Sequence, residues 1–313
     1  MRSTELRILV DTPFIVVVLF LMFGIQMNGV SQDLPKEMEH LRELASFPDE
    51  LVEEAYQYHR TQVKSISDEL DSLRRNRVAL TNLKKAQLQE QANNIEKIWQ
   101  FVLTKNPENA RAHNYYGELL FDFLANQTDG LQHWIRASQL DPNYASPQNN
   151  LGLAMFHSGN YKKGYEHLKK ALDSDPKHSD YLFNMAQMYM THFPQLGDIL
   201  GKTKSQMYKD AMKMSEKAAK YAPDEYEVVY DYANNFFAAD RFDVKISWTT
   251  AAKAWQKVIP LSKSKDELFN AHLNQGRTWL KANQGTKARS AFKEALNIDP
   301  DSRVANQLYN QVE

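Results

Sequence analysis

Cysteine is missing from all 313 residues, which removes disulfides, thiolate metal sites, a thiol nucleophile and a lipid-modified cysteine together. Glycine and proline are scarce, at 11 each, so little stands in the way of helix over most of the chain. A dominant charge is also lacking. The net charge is −1 with 25% charged residues, so no basic face is available to neutralise phosphates, and nucleic acid is not an expected partner. Enzyme signatures are absent too: there is no His-Glu-x-x-His, no phosphate loop and no Gly-x-Ser-x-Gly. The nine histidines are scattered, and carboxylate pairs such as Asp173/Asp175 fall at expected helix ends, so neither a metal nor another cofactor is expected.

Long apolar runs are confined to one place. Arg2 and Arg7 precede Phe14 to Phe23, which continues to Ile25 and exits through Gly29 and Ser31. A basic start, an apolar centre and a small-residue exit have the form of a secretory signal over 1–31. The same stretch, 13–30, is 18 residues long and also fits a short retained membrane anchor. Either reading places residues from Gln32 onward outside the cytoplasm, periplasmic or secreted if the segment is cleaved and membrane-anchored if it is not.

What is present is a period. Pro107, Pro142, Pro176, Pro223, Pro260 and Pro300 are separated by 35, 34, 47, 37 and 40 residues, and three follow Asp141, Asp175 and Asp299. Recurring helix stops at this spacing indicate stacked helical hairpins. The clearest unit runs from Ala145 to Pro176, with small residues Gly152, Gly164 and Ala171, layer residues Leu151, Met155, Tyr161 and Leu168, and a Gly159-Asn160 turn. It resembles the tetratricopeptide repeat (TPR). The small residue of the first helix lies ten positions after proline at Gly117, Gly152, Ala186 and Ala233, and sixteen after at Gly276. The expected fold is all-α: a right-handed TPR solenoid of about five hairpins over 107–301, closed by a capping helix over 302–313. One extra residue falls in the first unit's turn and about 13 near 192–207 in the third, there as a long inter-helix loop or a partner-binding or membrane-touching flap.

Residues 32–106 form the preceding segment. Val52, Tyr56, His59, Val63, Ile66, Leu70, Leu73, Arg77 and Leu80 follow a 3-4 spacing that suits a coiled-coil stalk and homo-oligomer over 52–80. The same stripe equally suits a helix folded back on the first repeat. Ile95, Trp99 and Val102 before Pro107 read as the second helix of a half repeat.

The resemblance implies a non-enzymatic adaptor that binds proteins or peptides on the concave face lined by first helices. Two residues before the small position it implies an inward Asn, found at Asn150, Asn184 and Asn274, with Asp231 in the fourth unit and Tyr115 beside Asn114 in the first. An amide row can bond the backbone of an extended peptide through donors and acceptors. Gln187, Asn234, Arg277 and Lys281 extend that face. The order of signal, coiled coil and array is similar in layout to the periplasmic TPR coordinators of the Tol-Pal system, which implies an envelope-assembly component as the alternative function.

Overall fold

The computed structural model describes residues 33–75 and 78–312, and the signal or anchor segment lies outside them. All elements found among the described residues are helical. The chain divides into two compact units between Ser158 and Gly159, at the start of the second repeat's Gly159-Asn160 turn.

The N-terminal unit opens with a 3-10 helix, Lys36–Ser46, followed by α1 (Pro48–Arg75), α2 (Asn82–Lys105), α3 (Ala110–Glu118), α4 (Gln127–Leu140) and α5 (Ala145–His157). Pro48 opens α1, where its missing N–H is tolerated. The α1 stripe is covered within the chain. Leu51, Val52, Tyr56, Val63 and Ile66 share one apolar core with Ile95, Ile98, Trp99 and Val102 of α2 and Leu119 and Leu120 beyond α3. His59 completes it by accepting from Trp99 Nε1 at Nδ1, 2.8 Å away, and burial holds its pKa down at about 3. Tyr56 stacks on Tyr115 with ring centroids 4.4 Å apart. Of the two expected readings of this stripe, these contacts favour the helix folded back on the first repeat over the coiled-coil stalk, because its apolar residues pack against α2 and α3.

The extra residue of the first repeat is absorbed as a π turn, Leu119–Phe123, at the end of α3. Leu124 N–H reaches back five residues to Leu119, and Ala125 then takes a left-handed φ of 52°. The repeat's small positions have a direct steric reason. A Cβ on Gly117 would lie 2.7 Å from the Trp134 ring, and one on Gly130 would lie 2.9 Å from the Gly117 carbonyl oxygen.

The C-terminal unit holds α6 (Tyr161–Ser174), α7 (Ser179–Thr191), α8 (Phe193–Leu200), α9 (Lys204–Tyr221), α10 (Tyr226–Asn235), α11 (Trp248–Val258), α12 (Lys265–Lys281), α13 (Gly285–Ile298) and α14 (Arg303–Asn310). The helices pack in pairs, α7 on α9 across the short α8, α10 on α11, and α12 on α13. The 192–207 insertion is built around a short helix rather than a loop. Pro194 sits in the first turn of α8, Leu196 is wholly buried, and Gly201 ends the helix in a left-handed conformation before a Thr203–Gln206 capping box starts α9. Ser302 caps α14, the expected terminal helix.

Five of the six periodic prolines build one turn. Asn106, Asp141, Asp175, Ala222 and Asp299 adopt φ between −139° and −129° with ψ of 66–96°, off the helical region as a residue before proline prefers. Each carbonyl then accepts from the N–H three residues on, at 3.1–3.3 Å, and that residue is the N-cap of the next helix. The aspartates add a second lock: Asp141, Asp175 and Asp299 Oδ1 accept from the N–H two residues on, at 3.0–3.2 Å. Pro260 is different. Ile259 before it stays helical, Pro260 lies in a short 3-10 turn, and α12 waits for the Ser264–Glu267 capping box.

Candidate functional site

First helices carry the candidate residues, and each unit treats them differently. In the N-terminal unit the amides of α3 and α5 close on one carboxylate. Asn114 Nδ2 donates to Glu118 Oε1 at 2.7 Å, Asn150 Nδ2 donates to the same oxygen at 3.0 Å and to Asn114 Oδ1 at 3.2 Å. Asn149 Nδ2 adds a long 3.4 Å contact to Asn150 Oδ1. Asn114 is fully enclosed, and Asn150 and Glu118 are each 8% exposed. Such buried amides are satisfied by one another, so Asn114 and Asn150 act as helix-to-helix ties.

Asp122, one turn beyond Glu118 on the π turn, has a different environment. It is half-buried with no hydrogen-bond partner among the described residues, and burial pushes its carboxyl up to about 7. It went unremarked at the sequence level, where a single Asp in a helix carries no signal. No group of three His, Cys, Asp or Glu could hold a metal ion among the described residues.

In the C-terminal unit Asn184 is buried on α7 at 2% exposure. Asp231 on α10 is an acceptor hub. Gln187 Nε2 donates to its Oδ1, Ser215 Oγ of α9 donates to Oδ2 at 2.9 Å, and Asn235 Nδ2 donates to Oδ2 at 2.8 Å. Asn235 and Ser215 were missed; an amide four residues after an inward acid on one helix is the readable signal.

The remaining candidates stay accessible. Asn234 and Lys281 are exposed, while Gln187, Asn274 and Arg277 are half-buried. Arg277 donates to Asn274 Oδ1 at 3.1 Å, and Lys281 Nζ stands 4.4 Å over the Trp248 ring. Neither cation has a carboxylate partner among the described residues. The two lie one turn apart on α12, and the Trp248 ring under Lys281 packs on Phe237 with ring centroids 6.0 Å apart. Asn234, Arg277 and Lys281 are thus the expected face residues that no carboxylate network engages among the described residues. The small positions Gly117, Gly152, Ala186, Ala233 and Gly276 are all buried, as close helix crossing demands; a Cβ at Gly276 would lie 2.4 Å from Phe292.

No family model matches the chain, and no curated protein matches it. Solved structures do. The C-terminal part of a TPR repeat-containing protein from Cytophaga hutchinsonii superposes with a TM-score of 0.52 at 17% identity, over 84% of this chain and 98% of that one. PilF of Pseudomonas aeruginosa gives 0.50 at 13% identity, over 82% of this chain and 99% of that one. The fold is that of the tetratricopeptide repeat. At these identities the likeness extends to the backbone arrangement alone.

Proposed function

We propose that this protein is a non-catalytic scaffold that holds a segment of another protein against the first helices of its C-terminal unit. The observation that carries the reading is the cationic pair on α12: Arg277 steadied by an amide, and Lys281 held over Trp248, with no carboxylate among the described residues closing either. A cation over an aromatic face keeps its charge available while losing little freedom when a ligand arrives. Stacked hairpins supply the scaffold.

The apolar, Arg-flanked segment over 2–31 supports an extracytoplasmic setting for this activity, since a signal or an anchor both deliver the chain there. Among the described residues no helix is long and apolar enough to cross a membrane, so any attachment rests on that segment. The alternative of an envelope component assembled through 52–80 is disfavoured, because Val52, Tyr56, Val63 and Ile66 are buried in the chain's own core.

The test is affinity capture from membrane extracts with the wild type and with an Asn234→Ala/Arg277→Ala/Lys281→Ala variant. A specific partner retained by the wild type and reduced at least about tenfold by the variant is expected, since two charge-assisted contacts are worth roughly 1.5–3 kcal/mol each. Equal recovery with both proteins would refute the reading.

A further inference from the structure

The first repeat holds a polar pair that partner binding does not use. His113 of α3 and His133 of α4 face each other with their Nδ1 atoms 2.8 Å apart, so a proton lies between them. His113 Nε2 is 3.0 Å from the Pro107 carbonyl oxygen, which can only accept. The neutral His113 ring therefore carries its hydrogen on Nε2 and is bare at Nδ1, and the bridging hydrogen belongs to His133 Nδ1. The chain of donors runs one way, from α4 through α3 into the turn at Pro107.

Neighbours fix the rings. The Tyr116 ring packs on His133 with centroids 4.6 Å apart, and its hydroxyl donates to Glu96 Oε1 at 3.1 Å while accepting from Gln100 Nε2 at 3.1 Å. One residue along the same hairpin, Trp134 Nε1 donates to the Asn114 carbonyl at 3.1 Å. The imidazole pair thus sits beside the crossing that holds Asn114 in its buried network.

We infer that His113 and His133 form an acid-operated latch on the α3/α4 hairpin, closed while the pair carries no more than one added proton. With one added proton either ring still donates to the other. With two, N–H faces N–H and the bond is lost. The surrounding charges favour opening at that point. Asp129, on α4 below His133, offsets one positive charge. Arg136, also on α4, faces His113 with like charge and is only distantly paired to Glu108 of the preceding turn at 3.7 Å. From α2 the facing acid is Glu96, which burial holds above the ordinary carboxylate range and which already receives Tyr116.

Burial, foremost, keeps both imidazoles below the usual 6.5, His133 at about 4. The closed hairpin therefore binds fewer protons than the open one. Its protection is complete above pH 6.5 and is lost as pH falls toward 4.

Hydrogen exchange on the full chain at pH 7.5 and 5.0, corrected for intrinsic rates, tests the latch. Local opening of residues 110–140 should rise on the order of tenfold at pH 5.0. In His133→Gln, whose amide donates to His113 without titrating, the rise should be clearly smaller. Unchanged protection in the wild type, or an equal rise in the variant, overturns the latch. Should the variant not fold, the imidazole nitrogen spectrum of the wild type decides. His113 as the Nε2–H tautomer at pH 7.5, with both rings titrating below 6.5, supports it; two rings titrating independently at 6.5 overturns it.

Discussion

The first-helix face carries amides in both units, yet Asn114 is enclosed and Asn274 is only half-buried. The difference lies one turn along the helix. After Asn114 comes Glu118, a carboxylate that gathers Asn114 and Asn150 into a buried knot. After Asn274 come Arg277 and Thr278; the guanidinium uses the amide as an acceptor and keeps its other donors, while the Thr278 hydroxyl turns back to the helix backbone. A carboxylate on the first-helix face converts inward polar groups into structure, and its absence leaves them for a ligand. Asp231 repeats the rule with Gln187, Ser215 and Asn235.

The strongest way to break this contrast is to remove the carboxylate. Glu118→Ala leaves the Asn114 and Asn150 donors buried without their shared acceptor, and each such group costs about 1–3 kcal/mol. The N-terminal unit should lose roughly 2–4 kcal/mol in urea unfolding, more than Glu118→Gln, which keeps an acceptor oxygen. An equal effect of both substitutions, or a loss under about 0.5 kcal/mol, would show that the knot holds nothing.

Asp122 sharpens the contrast within one helix turn, because its carboxyl lacks the amides that Glu118 has. Its pKa is raised in the folded state to about 7, so the protonated form is favoured there. Stability from this group is complete below its unfolded value near 3.8 and declines as pH rises through 7. Asp122→Asn should therefore gain on the wild type between pH 5 and pH 8, seen as a pH-dependent difference in unfolding midpoints. A constant difference across that range would refute the assignment.

Local geometry was legible in the sequence, and choice of partner was not. The proline period could be read because a residue before proline is driven off the helix whatever surrounds it, as Asp141 and Asp175 are. The small residues could be read because Gly117 and Gly276 meet rings at under 3 Å. The α1 stripe could not be assigned from the chain alone: Val52, Val63 and Ile66 would bury against a second copy as readily as against α2. The loop reading of 192–207 failed because Gly197 and Gly201 resemble loop residues, although Pro194 and Leu196 suit a short packed helix. His113 and His133 passed as scattered, but their twenty-residue separation is that of Asn114 and Trp134, which cross the same hairpin. The fate of the amide row needed only the acid beside each Asn, and Glu118 and Asp231 were both in view.

The gentlest test creates the missing carboxylate. Asn274→Asp would place an acid three residues before Arg277, where the amide oxygen now accepts at 3.1 Å. An ion pair at that spacing stabilises a helix by about 0.2–0.5 kcal/mol and weakens with salt. Stability should thus rise slightly, while partner capture through α12 should fall as Arg277 becomes neutralised, with Lys281 over Trp248 left in place. Asn114→Asp should do neither, since a second acid beside Glu118 loses the donor that Glu118 accepts and adds like-charge repulsion. If both substitutions act alike, the carboxylate rule fails; if they diverge in stability and only Asn274→Asp weakens capture, the open face belongs to the C-terminal unit.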